Sequence, residues 1–383
     1  MTAGGSPLFF YSAWPLGYHN LEAERKAIRF AEEGYAVTYV AGIGTRNPRV
    51  SRLPKVVDRV SRKLTSAAGT ARAPAAGLRT AALAVFPPRQ VTPVRRLNER
   101  WVEHQLRGAL GDWDRAVAWV RWPTQELVTA LARLSPALVV YESVDANHLS
   151  PGITGRWRPI FERAERELVS LANLVVVPGE VLAERYRSWG TPVEVVEHGV
   201  ELGAWREQRG PRRALTLGFV GTLDYRLEVS TVRAIAQARP DWRIRLIGPV
   251  QEGFDGRALG GLSNVSVEGP VAAAEVPALN ASFDIGLLAY RDHPHYTHMA
   301  PLKALELLAA GTPVVGRWSP ALDQLGALAR FAVTPAEYIG QIETSMAEES
   351  PDLARARRVA AEQHGWDRSL SAMCRLVQHE LSR

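Results

Sequence analysis

The stretch PLKALELLAAGTPVV, residues 301–315, has the features of a short helix followed by a buried strand. Pro301 suits the first helical position because its missing N–H group would have no helical partner there. Leu302 and the aliphatic residues after it recur at helical spacing, and Gly311 suits the left-handed conformation past a helix end. Pro313 stops the helix before the next strand. The segment therefore predicts the helix–strand unit from which α/β proteins are built.

Two charged side chains indicate what this helix binds. Lys303 and Glu306 are three residues apart, so we expect them on one side of its first turns. A cation beside free backbone N–H groups and the positive end of the helix dipole favours phosphate. A carboxylate one turn further on can accept two hydrogen bonds from a vicinal diol such as ribose. The pair predicts a nucleotide-sugar site.

The rest of the chain predicts two doubly wound α/β domains. Its 383 residues exceed one ordinary core, and short apolar runs alternate with helical patterns throughout. We predict an N-terminal domain over residues 1–205, a C-terminal domain over 206–364 with the linker near 206–213, and a last helix over 365–383. We predict a mobile loop at residues 66–82. The predicted strands are 8–11, 36–40, 117–122, 137–141, 174–177 and 193–196, then 215–220, 244–247, 265–267, 285–289, 313–315 and 330–333.

The net charge of +6 is concentrated in one segment. Residues 46–96 contain twelve Lys or Arg and one acid, Asp58, so this segment carries +11 and the rest −5 by subtraction. Residues 50–64 form an amphipathic pattern with a basic face. Such a helix either lies on an anionic membrane or packs against the protein's own sheet with its basic face in water. Peripheral membrane contact through residues 46–96 is therefore one expectation, and no nucleic-acid partner is expected.

Composition also bounds the location of the protein. A single cysteine, Cys374, excludes an intramolecular disulfide and indicates a reducing compartment. The apolar run near residue 10 is short and lacks a basic leader, so we interpret it as a first strand. No run approaches the roughly 20 apolar residues that span a bilayer. We expect a cytoplasmic protein, at most peripheral on the inner face of the membrane.

Seven motifs in order resemble the GT-B glycosyltransferases of family 4, in particular teichuronic acid biosynthesis glycosyltransferases. The resemblance covers most of the chain and implies two Rossmann-like domains that face each other across a cleft, the first binding the acceptor and the second the nucleotide sugar. The motifs are NLEAERKAIRFAEEGYAVTYV (20–40), VVYESVDANH (139–148), LANLVVVPGEVLAERYRSWGTPVEVVEHGVE (171–201), FVGTLDYR (219–226), LIGPV (246–250), NVSVEGPV (264–271) and ASFDIGLLAY (281–290).

The resemblance also implies a donor site and its chemistry. Arg226 resembles the cation that neutralises the pyrophosphate, and Gly221 lets backbone N–H groups approach a phosphate, although a plain strand-to-helix turn with a solvated arginine is the alternative. Retention of anomeric configuration is implied, with no metal needed for departure of the diphosphate. The donor-binding candidates are Gly17, Gly221, Thr222, Arg226, Gly248, Val271, His298, Pro301, Leu302, Lys303 and Glu306.

The chain departs from the family pattern before this helix. His298 stands where the family has a glutamate, eight residues before Glu306, and Pro301 stands at a glycine of the phosphate loop. A carboxylate for sugar hydroxyls is thus missing, and one N–H group is unavailable to phosphate. The departure leaves the identity of the sugar open.

Catalytic candidates are Asp145, His19 and His298. Asp145 resembles the cleft aspartate of the family, with a general-base or acceptor-orienting role, but a helix N-cap also explains an aspartate there. Gly17 and His19 follow the first strand and either approach the substrates or staple the next helix. None of the three candidates is singled out as the base.

Two patterns raise the alternative of a bound metal. The run DHPHYTH, residues 292–298, contains possible zinc ligands but no distant fourth ligand, so a loop facing donor or water is the other interpretation. Asp112 and Asp114 form a DxD triplet, but they precede a strand, and a turn explains them. We expect no cofactor and no metal.

The sequence thus predicts a glycosyltransferase that uses a UDP- or GDP-sugar and a small-molecule or lipid-linked acceptor, in cell-envelope glycan or specialised-metabolite biosynthesis. A nucleotide-sugar 2-epimerase on the same fold is one alternative. It would need acids and bases around the second sugar carbon, where carboxylates are sparse near His298. A non-catalytic nucleotide-sugar-binding partner is the other alternative, which the presence of Arg226, Lys303 and Glu306 together disfavours.

Overall fold

The computed structural model describes residues 5–16, 21–43, 75–89, 91–150, 153, 155, 157–203, 214–300 and 302–383. The chain divides into two compact units. The first comprises Met1–Val196 and Leu370–Arg383, and the second comprises Glu197–Ser369. The predicted linker at residues 206–213 and the predicted amphipathic segment at 50–64 lie outside the described residues.

The first unit contains a seven-stranded parallel sheet within its described part, in the order β3-β2-β1-β4-β5-β6-β7. Its strands are β1 (Pro7–Ser12), β2 (Ala36–Ala41), β3 (Leu78–Ala82), β4 (Val117–Val120), β5 (Leu138–Glu142), β6 (Leu174–Val177) and β7 (Val193–Val195). Its helices are α1 (Leu21–Glu32), α2 (Thr92–Ala109), α3 (Gln125–Leu134), α4 (Trp157–Leu171) and α5 (Glu180–Arg187).

The strands of this sheet are apolar on both faces because helices cover both. Strand β4 reads VAWV and β6 reads LVVV, and every residue of the two is buried. In β1 successive side chains enter different cores: Phe9 and Tyr11 pack into one, Leu8 and Phe10 into the other. This alternation follows from the two-residue period of a strand.

The second unit contains a six-stranded parallel sheet within its described part, in the order β10-β9-β8-β11-β12-β13. Its strands are β8 (Thr216–Val220), β9 (Arg243–Ile247), β10 (Val265–Glu268), β11 (Ile285–Leu288), β12 (Val314–Gly316) and β13 (Ala329–Phe331). Its helices are α6 (Val229–Ala238), α7 (Val276–Ser282), α8 (Pro294–Thr297), α9 (Leu302–Ala309), α10 (Pro320–Asp323), α11 (Pro335–Glu348) and α12 (Pro351–Glu362).

The helix–strand segment predicted from residues 301–315 is confirmed. Helix α9 ends at Ala309, and Gly311 follows with φ of +72°. The amide of Thr312 then donates to the carbonyl of Leu307 at 2.9 Å, which satisfies a helix-end carbonyl. Pro313 comes next, and β12 begins directly after it.

The last helix, α13 (Trp366–Leu381), contains the second boundary between the units. Its first turn, up to Ser369, belongs to the second unit, and the remainder belongs to the first. Met373, Cys374 and Val377 are buried in the first unit's core together with Leu8 and Phe10. Residues far apart in the chain therefore complete this core.

One prediction about the fold was wrong. The described end of the predicted loop at residues 66–82 is a strand, β3, which pairs with β2 over its whole length. Its sequence LRTAA lacks a long apolar run, and only Leu78 is fully buried. An edge strand has one neighbour and needs less apolar surface, so its pattern is weak.

Candidate functional site

The predicted donor residues gather at the carboxyl edge of the second sheet. Gly221 and Thr222 follow β8, and Gly248 follows β9. The segment with His298 and helix α9 follows β11. Because β9, β8 and β11 are neighbours in a parallel sheet, these segments emerge side by side. Ligands of doubly wound folds bind at this edge, where the order of strands reverses.

Two glycines allow the backbone of this edge to pack closely. A Cβ atom on Gly248 would lie 2.0 Å from the carbonyl oxygen of Gly221, so any other residue would force the two loops apart. A Cβ atom on Gly221 would lie 3.0 Å from Cε of Lys303. The stem of Lys303 therefore crosses directly over Gly221, and the structure brings three predicted donor residues together.

Lys303 and Glu306 lie on the same side of α9, as their spacing predicts. The Lys303 ammonium donates to Oε2 of Glu306 at 2.8 Å, and the two side chains are 31% and 22% exposed. An ion pair this exposed to solvent contributes little free energy, so either group can exchange its partner for a ligand. Both groups are thus accessible at the first turns of the helix, where α9 begins at Leu302.

Arg226 is fixed by an aspartate that the sequence analysis did not single out. Asp224 accepts from Nε of Arg226 at 3.0 Å and from its terminal nitrogen at 2.7 Å, and also from the backbone N–H of Arg226 at 2.9 Å. The other terminal nitrogen lies 3.8 Å from the sulfur of Met299. Arg226 is therefore oriented beside the segment that leads into α9. Asp224 is only two residues away, and a local acid beside a predicted functional cation is the signal that could have found it.

The pKa of Tyr290 depends on charged residues of both pairs, Arg226 with Asp224 and Lys303 with Glu306. Burial raises the pKa of its hydroxyl, the positive charge of Arg226 lowers it, and the carboxylates of Asp224 and Glu306 raise it. One buried ring therefore lies within the fields of both charged pairs. Tyr290 also packs against Phe219 and Tyr296, with ring centroids 6.0 and 4.8 Å apart. These rings form the apolar base of the charged site.

The histidines of residues 292–298 make contacts within the protein. Nδ1 of His293 accepts from the backbone N–H of His295, and Nδ1 of His295 lies 2.5 Å from the hydroxyl of Tyr225. Nδ1 of His298 lies 2.7 Å from the carbonyl of Pro294. Because a carbonyl only accepts, Nδ1 of His298 carries the hydrogen and Nε2 bears the lone pair when the ring is neutral. Within the described ranges, no group of three ligating side chains suits a metal ion.

The remaining donor candidates fall in different settings. Leu302 packs partly against the second unit's core, and Thr222 is partly exposed. Val271 is 37% exposed in the loop after β10. Gly17, His19 and Pro301 lie outside the residues that the structure describes.

At the carboxyl edge of the first sheet, Asp145 follows β5. Its Oδ1 accepts from the backbone N–H of Ala146 at 2.8 Å, just before a 3₁₀ turn at Asn147–Leu149. The N-cap position of this turn is Ala146, so Asp145 stands one residue before it and this bond is not a helix cap. His148 is buried, at 8% exposure.

A buried ionic cluster lies at the same edge and was missed from the sequence. Glu142, at the end of β5, accepts hydrogen bonds from Lys26 of α1 and from the indole of Trp119 at 2.6 Å, and forms an ion pair with Nε of Arg121 at 3.0 Å. Glu22 contacts both Lys26 and Arg121. Burial opposes the positive charge of Arg121, but the two carboxylates outweigh it and raise the pKa of Arg121. Lys26 and Glu142 are 116 residues apart, so spacing gave no signal.

The DxD triplet lies at the opposite edge of this sheet. Asp112 and Asp114 are exposed on either side of buried Trp113, in the turn that precedes β4. They are thus at the amino end of a strand, as their position in the sequence predicts.

Comparison with known proteins gives the class of fold. Residues 228–375 match the family described as "Glycosyl transferase-like". Sucrose-phosphate synthase from Thermosynechococcus elongatus superposes with a TM-score of 0.70 at 15% identity, over 98% of this chain and 99% of that one. Anabaena Alr3699/HepE, in complex with UDP and glucose, gives 0.65 at 14% identity over 99% of both chains. The chain has the GT-B fold, which confirms the fold prediction.

A curated relative is more similar in sequence. The chain is 27% identical to TuaH of Bacillus subtilis (strain 168), assigned as a teichuronic acid biosynthesis glycosyltransferase. The match spans 58% of this chain and 60% of that protein. The resemblance predicted from the sequence is thereby confirmed: the chain is similar to GT-B glycosyltransferases, and to TuaH among them.

Proposed function

We propose that this protein is a glycosyltransferase that moves a sugar from a UDP- or GDP-sugar to an acceptor, with retention, in cell-envelope glycan or specialised-metabolite biosynthesis. The observation that carries the proposal is the position of Lys303 over Gly221, with Glu306 paired to Lys303 and Gly248 packed against Gly221, at the carboxyl edge of the second sheet. The family match includes α9, and relatives of the same fold carry UDP or UDP-glucose. TuaH adds sequence similarity to an assigned glycosyltransferase.

Each charged group has a role in this proposal. Lys303 and Arg226 neutralise the diphosphate, while Glu306 accepts hydrogen bonds from the ribose diol. As the bond from the anomeric carbon to the diphosphate breaks, its electron pair stays on the diphosphate, whose growing charge these cations stabilise. No metal is required in this scheme.

The acceptor oxygen forms the new bond and loses its proton. His298, whose Nε2 bears the lone pair, and Asp145 are candidates to take that proton, as is the diphosphate itself. His19 is a further candidate outside the described residues. Replacing His298 or Asp145 and measuring transfer against donor binding separates a catalytic role from a structural one.

A nucleotide panel tests the proposal directly. We expect UDP or GDP, and the matching sugar nucleotide, to raise the melting temperature. Ligand at 100 times its dissociation constant stabilises by about 2.7 kcal/mol. Incubation of the bound donor without acceptor then distinguishes the alternatives: a new sugar epimer indicates an epimerase, and binding without turnover with any acceptor indicates a non-catalytic partner. Failure of every nucleotide to bind contradicts the donor site.

We also propose peripheral contact with anionic membranes, through residues 46–96 and the start of α2. Phe86, Leu97 and Trp101 are 48%, 54% and 38% exposed, and we call these three residues the apolar surface. The amide of buried Asn98 exchanges two hydrogen bonds of 2.8 Å with the backbone of Phe86, which fixes this surface to α2. Arg96, which precedes Leu97 in the sequence, is also exposed and adds a cation to this part of α2.

This arrangement has the features of an interfacial helix, with apolar anchors beside cations. Every helix in the described portion of the chain is too short or too polar to span a bilayer. Binding to phosphatidylglycerol vesicles should weaken in Trp101→Ser by about 1 kcal/mol or more, roughly fivefold. Trp318→Ser is the control, because Trp318 is 50% exposed in the second unit. Absence of vesicle binding by the parent at low salt contradicts the contact.

A further inference from the structure

A cavity of about 280 Å³ opens at the carboxyl edge of the first sheet, and the proposed function leaves it without a role. Its walls come from three segments: the loop after β3 with the start of α2, the loop after β4 with the start of α3, and the first turns of α4. Its size is near the lower end of the roughly 300–1,000 Å³ of small-molecule sites. It suits the head of a ligand, such as one sugar ring with its substituent.

The floor of the cavity is rigid. Arg89 donates two hydrogen bonds to the carboxylate of Glu126, of 2.7 and 2.5 Å, and both side chains are nearly buried. This fork ties the loop after β3 to the start of α3. Phe161 forms part of the wall and packs edge-on against Trp122, with centroids 5.3 Å apart. The site is therefore preformed on three elements.

The rim of the cavity is cationic. Arg89 is neutralised by Glu126, whereas Arg95 and Arg163 add two further guanidinium groups, and Glu126 is the one carboxylate among the described residues of the lining. Glu99 and Glu167 pair with them from outside the lining, at 3.7 and 2.8 Å.

These outer pairs are weak, because the guanidinium groups are substantially exposed: 38% for Arg95 and 70% for Arg163. Burial opposes ionisation of Glu167, but hydrogen bonds from Arg163 and Gln125 and the charges of Arg163 and Arg95 lower its pKa. Both arginines thus act on one carboxylate. An anion in the cavity would compete for the same two cations. Trp157 and Ile160 provide apolar surface beside them.

We propose that this cavity binds the acceptor, and that the acceptor carries a negatively charged group, a phosphate or a carboxylate, next to a ring or chain that lies against Trp157 and Ile160. The inference rests on the proposed glycosyltransferase function, which it deepens by naming the acceptor class. Arg95 and Arg163 hold the charged group as specificity-determining residues. The N-terminal turns of α2, α3 and α4 also contribute residues to the lining. Their backbone N–H groups carry partial positive charge, which favours an anion.

The first test compares charged and neutral probes on the unmodified protein. Calorimetry should detect glucose 6-phosphate or glucuronate, with at least tenfold weaker binding of glucose. A second arm compares dodecyl phosphate with dodecyl maltoside, which separates a lipid-linked source of the charge from a soluble one. Either arm supports the proposal if the anion is preferred. Equal binding of charged and neutral probes in both arms overturns it.

Variants then locate the bound anion. Arg95→Gln and Arg163→Gln should each weaken anion binding roughly threefold to tenfold. Arg107→Gln is the matched control because it also lies on α2 in an i,i+4 pair, with Glu103, but outside the cavity lining. Melting temperatures should stay within error of the parent, since these arginines are exposed at the surface.

Lys303→Ala separates this site from the donor site. Anion binding lost in Lys303→Ala and retained in both cavity variants overturns the acceptor assignment, because the probe then occupies the donor site. UDP titrated in parallel reports the donor site through the part of its binding that Lys303→Ala removes and the cavity variants retain. UDP binding without anion preference leaves the proposed function standing and refutes the cavity. Anion binding at the arginines without binding of either UDP or GDP leaves the anion site standing and refutes the proposed donor site.

Discussion

Both sheets carry charged groups at their carboxyl edges, but the two edges hold them differently. In the first unit Lys26, Glu142 and Arg121 are 1%, 3% and 4% exposed and contact one another inside the protein. In the second unit Lys303 and Glu306 are 31% and 22% exposed. A buried cluster cannot release a charge to a ligand without a large desolvation cost, whereas a half-exposed pair can. Burial therefore separates charges that hold the fold from charges available for binding.

The largest effect expected from this comparison is on stability in the first unit. Glu142→Gln keeps the shape of the side chain but leaves the buried cations Lys26 and Arg121 to share the single carboxylate of Glu22, which costs about 3 kcal/mol of unfolding free energy. Urea denaturation followed by circular dichroism measures it. Glu180→Gln is the control, since Glu180 is 56% exposed in its pair with Arg187 and should leave the midpoint unchanged. Equal urea midpoints for Glu142→Gln and Glu180→Gln would refute the distinction between buried and exposed charges.

The second unit should show the opposite response, a loss of activity with stability retained. Glu306→Gln replaces charge-assisted acceptance by weaker neutral contacts, so we expect a loss of about 1.5–3 kcal/mol in donor use, or roughly tenfold to 150-fold in kcat/KM. Lys303→Ala should lower kcat as well as raise KM, because the charge on the diphosphate grows as the bond breaks.

The matched controls are Asp352→Asn and Arg355→Ala on α12. These residues form an i,i+3 pair like that of α9, and their side chains are 91% and 53% exposed. Controls and site variants should share the parent's melting temperature without ligand. Only the site variants should show a smaller shift with nucleotide. If Lys303→Ala and Glu306→Gln bind and turn over donor like the parent, the start of α9 is structural and the donor site is elsewhere.

Asp224 is an intermediate case that sharpens the comparison. It is 5% exposed, but its partner Arg226 is 22% exposed at the side chain and can reach water. Asp224→Asn should therefore cost about 1–2 kcal/mol of stability, less than Glu142→Gln. It should also weaken nucleotide binding, because Arg226 loses its orientation. Calorimetry with the nucleotide, alongside urea denaturation, measures both. Nucleotide affinity equal to the parent's would show that Arg226 needs no such orientation.

The smallest expected effect is that of metal removal. In the proposed chemistry Lys303, Arg226 and the start of α9 stabilise the leaving diphosphate. Transfer should therefore persist in excess EDTA. Activity lost in EDTA and restored by Mg²⁺ or Mn²⁺ would contradict metal independence and return Asp112 and Asp114 to consideration.

The fold could be predicted wherever burial on both sheet faces imposed continuous apolar runs. Strands such as β4 and β6 were found in this way, because helices cover both sides of a parallel sheet. Strand β3 was missed because an edge strand shows no such run. The confirmed GT-B fold followed from motifs in order, not from any one of them.

The candidate site was predictable only where its chemistry is local in sequence. Lys303 and Glu306 are indicated by their helical spacing, and Arg226 by the resemblance of its motif to the family's. The cluster of Glu142, Lys26 and Arg121 joins a strand end to a helix more than a hundred residues away, so only the fold reveals it. The arginine-lined cavity is likewise assembled from three separated segments. The proposed roles of these residues stay predictions until the variants are measured.

The division of α13 between the two units has a consequence for how the protein is made. Met373, Cys374 and Val377 complete a core that otherwise comes from the first 196 residues. During synthesis we expect that core to stay incomplete, with the apolar surface that α13 covers exposed to solvent, until residues 370–383 have left the ribosome. The second unit, contiguous from Glu197 to Ser369, is under no such constraint. We expect its residues to be available for packing slightly before the first unit's core is complete, although N-terminal domains usually fold first.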